Sequence, residues 1–280
     1  MERRTQETTA ISGVLNRQRE HFAAGSTREV AGRIAALRKL EAGLVERRDD
    51  LFAALEADLG KPEIEGFLAE FHFLLEEIRH VCKGLKRWLR PRRVGAPFYF
   101  QPSRNRVERE AFGTVLVMAP WNYPVQLALG PVIAAVAAGN TVVLKPSEMA
   151  PASAAFLEDL VASCFESGHV AVVNGGVEVA EELLEQQWDF IFFTGSTGVG
   201  RVVAQKAAAH LTPCVLELGG KCPCVVDREV DLEIAARRIL AGKLFNAGQT
   251  CFAPDFVAVH RDVREALVAE LESLLMELPW

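Results

Sequence analysis

The chain lacks the features that mark several specialised classes of protein. Its formal net charge is −6 over 280 residues, so it has no basic excess of the kind that nucleic-acid binding requires. Its six cysteines include no CxxC pair, and Cys222-Pro223-Cys224 has no second Cys or His cluster to complete a zinc site. We therefore expect no bound metal, no nucleic-acid partner, and reduced thiols, as in a cytoplasmic protein.

The longest stretch without charge runs from Phe112 to Leu144 and by length alone would suffice to cross a membrane. Proline, glycine and asparagine interrupt it repeatedly, at positions 120, 122, 124, 130, 131, 139 and 140. These interruptions favour a buried strand, a loop, a buried helix and a second strand over a membrane span. The polar N-terminus (MERRTQETTA) also offers no signal-peptide core, so we expect a cytoplasmic location.

The first ninety residues have the apolar spacing of amphipathic helices, which is interrupted at Gly60-Lys61-Pro62. The segment from Ser26 to Glu29 has the form of a capping box, so we expect a helix to begin there. After these helices, residues 98–111 offer a turn at 102–105 and a returning strand from Val107 to Ala111. This pattern predicts a projecting hairpin.

From residue 114 onward, short apolar runs alternate with helical segments. The predicted strands cover 114–118, 141–144, 170–173, 190–193 and 214–218, and the predicted helices cover 125–138, 151–167, 177–186 and 199–210. Such alternation predicts right-handed crossovers and a parallel sheet covered on both faces. The expected fold class is α/β, with a five-stranded doubly wound parallel sheet preceded by N-terminal helices. A second α/β region follows from about Leu218, with a helix near 231–245, a strand near 255–260 and a helix from Val263.

Two loops at the predicted carboxyl ends of strands carry groups that suit a nucleotide. The loop from Gly195 to Gly200 lets backbone N–H groups approach a phosphate at a helix N-terminus, although its spacing is not GxGxxG. Lys145-Pro146-Ser147-Glu148 ends another strand, and its Lys and Glu suit ribose hydroxyls. Taken singly, the first loop favours a ligand over a glycine-rich turn without one, and the second fits ordinary loop charges equally well.

Three further residues have side chains that suit covalent catalysis. Cys251 offers a thiol, which reacts as its thiolate and so needs electropositive or helix-end surroundings. Glu217 lies in an apolar strand, where burial would make its carboxylate a stronger base, and the Asn122 amide can donate to a developing oxyanion. Each residue has an ordinary alternative: an inert loop thiol, a Glu paired with Lys221 or a backbone donor, and a turn-forming Asn.

Five short motifs follow one another in the order and spacing of aldehyde dehydrogenases. They are PWNYP at 120–124, KPSE at 145–148, FTGSTGVG at 193–200, LELGGK at 216–221 and GQTC at 248–251. From about Arg28 onward the chain resembles this superfamily, and its compact N-terminal helices and NAGQTCFAPD segment resemble class 3 most. The resemblance implies oxidation of an aldehyde to a carboxylic acid with NAD or NADP.

The resemblance also implies a role for each of these residues. Cys251 is the nucleophile that carries a thiohemiacetal and then a thioester, Asn122 stabilises the oxyanion with the Cys251 N–H, and Glu217 activates water. Glu148 favours NAD, although class 3 relatives often tolerate NADP, so the preference stays open. The implied cofactor-binding residues are Trp121, Lys145, Ser147, Glu148, Gly195, Ser196, Thr197, Gly198, Val199, Gly200, Leu218 and Gly219.

The same resemblance sets expectations for the whole protein. Residues 1–217 are expected to form the NAD(P)-binding domain with its helices and hairpin, and residues 218–280 the start of an incomplete catalytic domain. Aldehyde dehydrogenases continue with a Glu-x-Phe-Gly-Pro segment, most of the substrate tunnel and a strand that completes a homodimer. Cys222 and Phe252 depart from the usual residues at their positions, and the resemblance gives the Cys222 thiol no role.

Two other functions compete with this interpretation. The first is a short chain that binds a nucleotide but has little or no turnover. The second is a thiol hydrolase that pairs Cys251 with a histidine such as His260. The order of the five motifs argues against the hydrolase, because a hydrolase would not use the loops that suit a nucleotide.

Overall fold

The computed structural model describes residues 2–277 and the side chains of residues 11–277. The chain divides into two compact units, Met1–Glu217 and Leu218–Trp280. The first unit holds a layer of helices, a short hairpin and a five-stranded sheet, and the second holds a two-stranded sheet with two helices. Within the described part of the chain, every helix is too short or too polar to cross a lipid bilayer.

The N-terminal part of the first unit is helical, as the apolar spacing predicts. Its helices are α1 (Glu2–Ala23), α2 (Val30–Glu46), α3 (Arg48–Leu59), α4 (Glu63–Gly66) and α5 (Phe73–Trp88), with a π-helical segment at Phe67–His72 before α5. On α2, Leu37, Leu40 and Leu44 are fully buried and contribute to the main core. Gly60 ends α3 in the left-handed conformation with φ of 59°, which explains the interruption in the sequence pattern.

The capping-box prediction at Ser26 is wrong, because α2 begins at Val30 without a side-chain cap. The Thr27 hydroxyl instead donates to the carbonyl of Gly139 at 2.7 Å, a contact 112 residues away along the chain. Arg33 Nε donates to the Thr27 carbonyl, also at 2.7 Å. The hydrogen bond from Thr27 attaches the segment before the helix to the sheet domain, and it overrides the local capping preference.

A short antiparallel hairpin covers residues 92–107 rather than 98–111. Its strands are β1 (Arg92–Val94) and β2 (Asn105–Val107), and Arg92 lies opposite Val107. The aromatic run Phe98–Phe100 forms a 3-10 turn in the connecting loop, with its rings exposed. The returning strand ends at Val107 because its partner strand is only three residues long.

The sheet of the first unit has the predicted doubly wound α/β topology. Its strands are β3 (Thr114–Met118), β4 (Thr141–Lys145), β5 (Val170–Val172), β6 (Phe190–Gly195) and β7 (Cys214–Leu218). The connecting helices are α6 (Gln126–Ala138), α7 (Pro151–Cys164), α8 (Val177–Glu185) and α9 (Thr197–Ala209). The strand order is β5-β4-β3-β6-β7, and β3 pairs parallel with both β4 and β6. Every residue of β3 and β4 is buried, which explains their unbroken apolar runs.

The charge-free stretch from Phe112 to Leu144 forms β3, α6 and most of β4. Helix α6 is apolar because it lies between the sheet and the N-terminal helices, and its Leu129 and Ile133 are fully buried. Gly139 ends α6 with φ of 96°, so the next strand can begin two residues later. The prediction of a strand, a helix and a second strand in this stretch is confirmed.

The second unit combines two parallel strands with two helices. Its elements are β8 (Pro223–Val226), α10 (Leu232–Leu244), β9 (Phe256–Val259) and α11 (Arg264–Glu277). Strands β8 and β9 pair in parallel, with Pro223 opposite Phe256. A small core of its own contains Val226, Ala236 and Leu267. The predicted helix–strand–helix order of this region is confirmed.

Candidate active site

Strand β3 lies at the centre of the first sheet, where the strand order reverses direction. Ligands of doubly wound sheets bind at such a point, in the crevice outside the carboxyl ends of the strands. Met118 at the end of β3 is paired with Lys145 in β4 and with Phe193 in β6. The loops that follow β3, β4 and β6 therefore leave the sheet at the same edge, and they contain the three motifs of the first unit.

Asn122 lies in the loop between β3 and α6, where it is half-buried. Its backbone carbonyl accepts a hydrogen bond from Lys61 Nζ at 3.2 Å. Trp121 beside it is also half-buried, whereas Tyr123 and Val125 are buried. The loop is therefore attached to the core through its backbone and its last residues, and Asn122 lies at the carboxyl edge of the sheet.

Lys145 and Glu148 form an ion pair at the end of β4, with 2.9 Å between Nζ and Oε2. Lys145 is buried and also donates to the Pro146 carbonyl at 3.0 Å, while Glu148 is exposed. Burial acts to raise the pKa of Glu148, but hydrogen bonds from Lys145 and the backbone, together with the Lys145 charge, lower it below its ordinary value. Glu148 is therefore a carboxylate at neutral pH. The buried Ser147 hydroxyl accepts from the Met149 amide at 3.2 Å and so shapes the same loop.

The loop between β6 and α9 presents a helix N-terminus to solvent. Ser196 is the N-cap residue, and its hydroxyl accepts from the Val199 amide at 3.3 Å. Residues 196–199 are exposed, so the helix begins at Thr197 at an open surface, two residues earlier than the predicted 199. Thr194 Oγ1 is buried and, among the described residues, has no hydrogen-bond partner. The positive end of α9 and its amide donors suit an anion such as a phosphate.

The glycines of this loop differ in how much space surrounds them. A Cβ at Gly195 would come within 2.5 Å of the Phe193 ring, so a side chain there would displace the end of β6. Gly200 is buried within the first turn of α9. Gly198 is exposed, and a Cβ there would lie 3.9 Å from its nearest neighbour, Ser196 Oγ, so there is open space above the helix start.

Glu217 is exposed near the end of β7, which contradicts the burial expected of it. β7 is an edge strand, and its side chains alternate between intermediate and exposed because only one face of the strand is covered. The alternative pairing with Lys221 is also wrong, since Lys221 Nζ contacts Asp255 Oδ2 at 3.0 Å. Leu218 ends the strand half-buried, and Gly219 after it is exposed.

Cys251 lies in the second unit as an exposed free thiol in a tight turn. The preceding residues Asn246, Ala247 and Gly248 all have positive φ, at 53°, 53° and 75°. Two consecutive non-glycine residues in this conformation are uncommon and store strain, as is frequent near reactive groups. The buried Asn246 holds the turn through a hydrogen bond from Nδ2 to the Gln249 carbonyl at 3.3 Å.

Cys222 contacts the backbone of Cys251, an arrangement that was not predicted from the sequence. Its thiol donates to the Cys251 carbonyl at 3.4 Å, and a Cβ at Gly220 would meet both of these groups. The Asp255 amide donates to the Cys222 carbonyl at 2.9 Å, so the two segments are bound on both sides of the thiol. Cys222 therefore holds the chain that carries Cys251.

A buried ion pair next to the Asn122 loop was also missed by sequence reasoning. Lys61 and Glu70 contact each other with their side chains almost fully buried. The available signals were a glutamate inside the apolar run from Phe67 to Phe71 and a lysine between Gly60 and Pro62. A charged residue on the buried face of a helix requires a partner, and that requirement is the clue the pattern offers.

Comparison with known proteins assigns the chain to one family. The model named "Aldehyde dehydrogenase family" matches residues 4–279. The chain is 43% identical over 258 residues to "Aldehyde dehydrogenase family 3 member H1" of Arabidopsis thaliana, covering 92% of this chain and 53% of that protein. It is 40% identical over 267 residues to "Aldehyde dehydrogenase, dimeric NADP-preferring" of Canis lupus familiaris, covering 95% and 59%. The chain thus spans little more than half the length of these relatives.

Solved structures agree with the sequence relatives. A substrate-bound aldehyde dehydrogenase of Staphylococcus aureus superimposes with a TM-score of 0.93 at 37% identity, over 95% of this chain and 58% of that one. An NAD+ complex of an aldehyde dehydrogenase from Bacillus cereus gives a TM-score of 0.89 at 28% identity, over 97% and 56%. The family model's span, residues 4–279, covers the positions of all five motifs. The chain therefore belongs to the aldehyde dehydrogenase family, with family 3 members among its relatives.

Proposed function

We propose that this chain is part of an enzyme that oxidises an aldehyde to a carboxylic acid with NAD or NADP. The observation that carries the proposal is the pairing of Met118 with both Lys145 and Phe193, which gathers three motif-bearing loops at one edge of the sheet. Residues 1–217 then form the NAD(P)-binding domain, and residues 218–280 the start of the catalytic domain. Family membership supports the reaction class.

The residues at the sheet edge fit a dinucleotide. The exposed N-terminus of α9 offers amide donors and a positive dipole to a pyrophosphate. The ionised Glu148 suits ribose hydroxyls, and Lys145 holds its carboxylate in place at 2.9 Å. Thr194 Oγ1 also supports a polar ligand here. It is buried and has no hydrogen-bond partner among the described residues, and leaving a buried hydroxyl unpaired costs free energy. When bound, the nicotinamide cofactor supplies the hydride acceptor for the oxidation.

In the proposed reaction, the Cys251 thiolate attacks the aldehyde carbonyl and forms a thiohemiacetal. The Asn122 amide and the Cys251 backbone N–H stabilise the developing oxyanion by hydrogen bonding. Loss of a hydride from the thiohemiacetal leaves a thioester on Cys251. Glu217 takes a proton from water, which attacks the thioester and releases the acid and the free thiol. Cys251 and Glu217 are exposed, which is compatible with access of the aldehyde to the thiol and of water to the carboxylate.

Cofactor choice and assembly are proposed from the sequence and the relatives. Glu148 favours NAD because a carboxylate accepts ribose hydroxyls and repels the extra phosphate of NADP. One relative is named as dimeric and NADP-preferring, so use of NADP and a homodimer of the longer protein are also proposed. We propose a cytoplasmic location, although another relative is named as chloroplastic.

A second candidate function is cofactor binding with little or no turnover. It is favoured by the coverage of the relatives, since the chain spans only 53% and 59% of the two described above. In this case the loops at the sheet edge would still hold NAD or NADP. Cys251 would lack the surroundings that complete the reaction.

The two candidates are separated by measuring binding and turnover on the same chain. Calorimetric titration gives the affinity for NAD+ and NADP+, and absorbance of the reduced cofactor gives the rate with a medium-chain or an aromatic aldehyde. We expect binding in the wild type and in Cys251→Ala, and turnover in the wild type alone. Binding without turnover in the wild type would establish the second candidate. Turnover that survives in Cys251→Ala would exclude Cys251 as the nucleophile.

A further inference from the structure

Lys61 and Glu70 form an ion pair in the interior of the first unit. The distance between Nζ and Oε1 is 2.5 Å, and the two side chains are only 1% and 0% exposed. Removing two charges from water is costly, and an apolar pair of the same size often stabilises a protein as well or better. The pair therefore calls for an explanation other than stability.

The second carboxylate oxygen of Glu70 binds the start of helix α6. Glu70 Oε2 accepts from the backbone amides of Val125 at 2.9 Å and Gln126 at 3.1 Å. The N-cap residue of α6 is Val125, which has no side chain able to cap. Glu70 supplies this missing cap from 55 residues away, so one carboxylate of the N-terminal helices binds the start of α6 directly.

Lys61 binds the other end of the same loop. Its Nζ donates to the carbonyl of Asn122 at 3.2 Å and lies 4.4 Å from the centre of the Tyr123 ring. The ammonium thus contacts Glu70, the Asn122 backbone and an aromatic face. Together, the two charged side chains hold the loop from residue 122 to residue 126 by its backbone at both ends.

We propose that the Lys61–Glu70 pair is a positioning device for the Asn122 amide. The proposal rests on the proposed function, in which this amide stabilises the oxyanion. An oxyanion donor works only when it is held within about 0.5 Å of its productive position by surrounding residues. The hydrogen bonds from the pair to the backbone of Asn122 and of the two residues that begin α6 provide that restraint. Lys61 and Glu70 contact neither substrate nor cofactor in this role.

A structural role and a positioning role predict different results when the pair is replaced as a unit. Removing only one partner leaves a buried charge, so single variants would report misfolding rather than positioning. The double variant Lys61→Met/Glu70→Met keeps roughly the volume and removes the three hydrogen bonds that the pair makes to the loop backbone. The matched control Lys61→Met/Glu70→Gln also removes both charges, but its amide oxygen can still accept from the Val125 and Gln126 amides.

The first readout is hydrogen exchange of the loop, which does not depend on turnover. The proteins are compared under conditions that give them equal free energies of unfolding. We then expect hydrogen exchange at the amides of residues 125 and 126 to accelerate at least about tenfold in the Met/Met variant. The Met/Gln control should retain most of the protection. Unchanged exchange in the Met/Met variant would overturn the proposal, whatever the activity of the chain.

The second readout is the split between kcat and the cofactor KM. We expect kcat of the Met/Met variant to fall by about 10-fold to 100-fold, with the KM for NAD(P)+ unchanged and partial rescue in the Met/Gln control. The fall should disappear in an Asn122→Ala background, because the pair acts through that amide. An equal fall in both backgrounds would overturn the positioning role. If Asn122→Ala itself leaves kcat unchanged, the proposed oxyanion role of Asn122 is what fails.

Discussion

His169 is largely buried and stacks against His21, with ring centroids 5.6 Å apart and planes inclined by 16°. Its Nε2 is buried and, among the described residues, has no hydrogen-bond partner. Burial, reinforced by the charge of His21, lowers the pKa of His169 to about 4. Since an unfolded histidine has a pKa of about 6.5, folding favours the neutral ring.

The first prediction is that His169 makes the chain acid-sensitive. Above the unfolded pKa the ring is neutral in both states and its contribution is complete. As the pH falls from about 6.5 to about 4, the unfolded state binds the proton first, so the free energy of unfolding decreases by about 3 kcal/mol in total. Denaturant unfolding at a series of pH values should show this decrease in the wild type and much less of it in His169→Phe.

The matched control is a substitution of the exposed His210. His210→Gln should keep the pH dependence of the wild type. The account of His169 fails if His169→Phe and His210→Gln follow the same curve. His21 should be left unchanged in all variants, because it contacts a charged group as well as His169. The Glu166 carboxylate lies 3.9 Å from its Nδ1.

Glu217 and Cys222 show at the residue scale what a single sequence can and cannot establish. The chemistry of Glu217 was inferred from its residue type and motif, but its exposure depends on one face of β7 being uncovered, which no local pattern reveals. The contact between Cys222 and the Cys251 carbonyl joins positions 29 residues apart, so the spacing of residues in the sequence does not predict it. Side-chain environments depend on tertiary neighbours, so they were the least predictable part of the site.

At the scale of elements, the N-terminal helices cap helices of the sheet domain with carboxylates. Asp58 at the end of α3 accepts from the backbone amides of Ala152 at 3.0 Å and Ser153 at 2.7 Å, in the first turn of α7. Glu70 does the same for α6. Both carboxylates satisfy amides that a helix cannot pair internally and lie at the positive end of its dipole.

The second prediction concerns this cap. Replacing Asp58 by Ala removes two charge-assisted hydrogen bonds from the start of α7, so the free energy of unfolding should fall by about 2 kcal/mol. Asp58→Asn keeps one acceptor oxygen and should lose less. Chemical denaturation measures both. Asp159, which is exposed in α7, provides the control. Asp159→Ala should change the free energy of unfolding by less than about 0.5 kcal/mol. Equal losses at the two positions would refute the claim that Asp58 caps α7.

The elements themselves were largely predictable, and their boundaries were less so. Strands β3 and β4 are buried on both faces, so an unbroken apolar run identified them directly. The start of α2 was mispredicted because the segment that holds Ser26 does not cap it, and the neighbouring Thr27 bonds to Gly139 instead. The hairpin was displaced because the aromatic run Phe98–Phe100 turns instead of extending. In each case a tertiary contact or a turn decided between two local preferences.

At the scale of the whole molecule, the chain comprises two compact units and about half the length of its relatives. The first unit carries the loops that suit the cofactor, and the second carries Cys251. The family model matches residues of both units. The proposal that the chain performs the family reaction depends on one covalent event, the formation of a thioester on Cys251.

The measurement that tests this claim most directly is mass spectrometry of the acylated chain. Glu217→Gln should slow hydrolysis of the thioester, so that incubation with an aldehyde and NAD(P)+ followed by rapid acid quenching traps the intermediate. The account predicts an added acyl mass on the peptide that contains Cys251, formed only when the cofactor is present. Reduced cofactor produced with no acyl group on Cys251, or an acyl group on another residue, would contradict it.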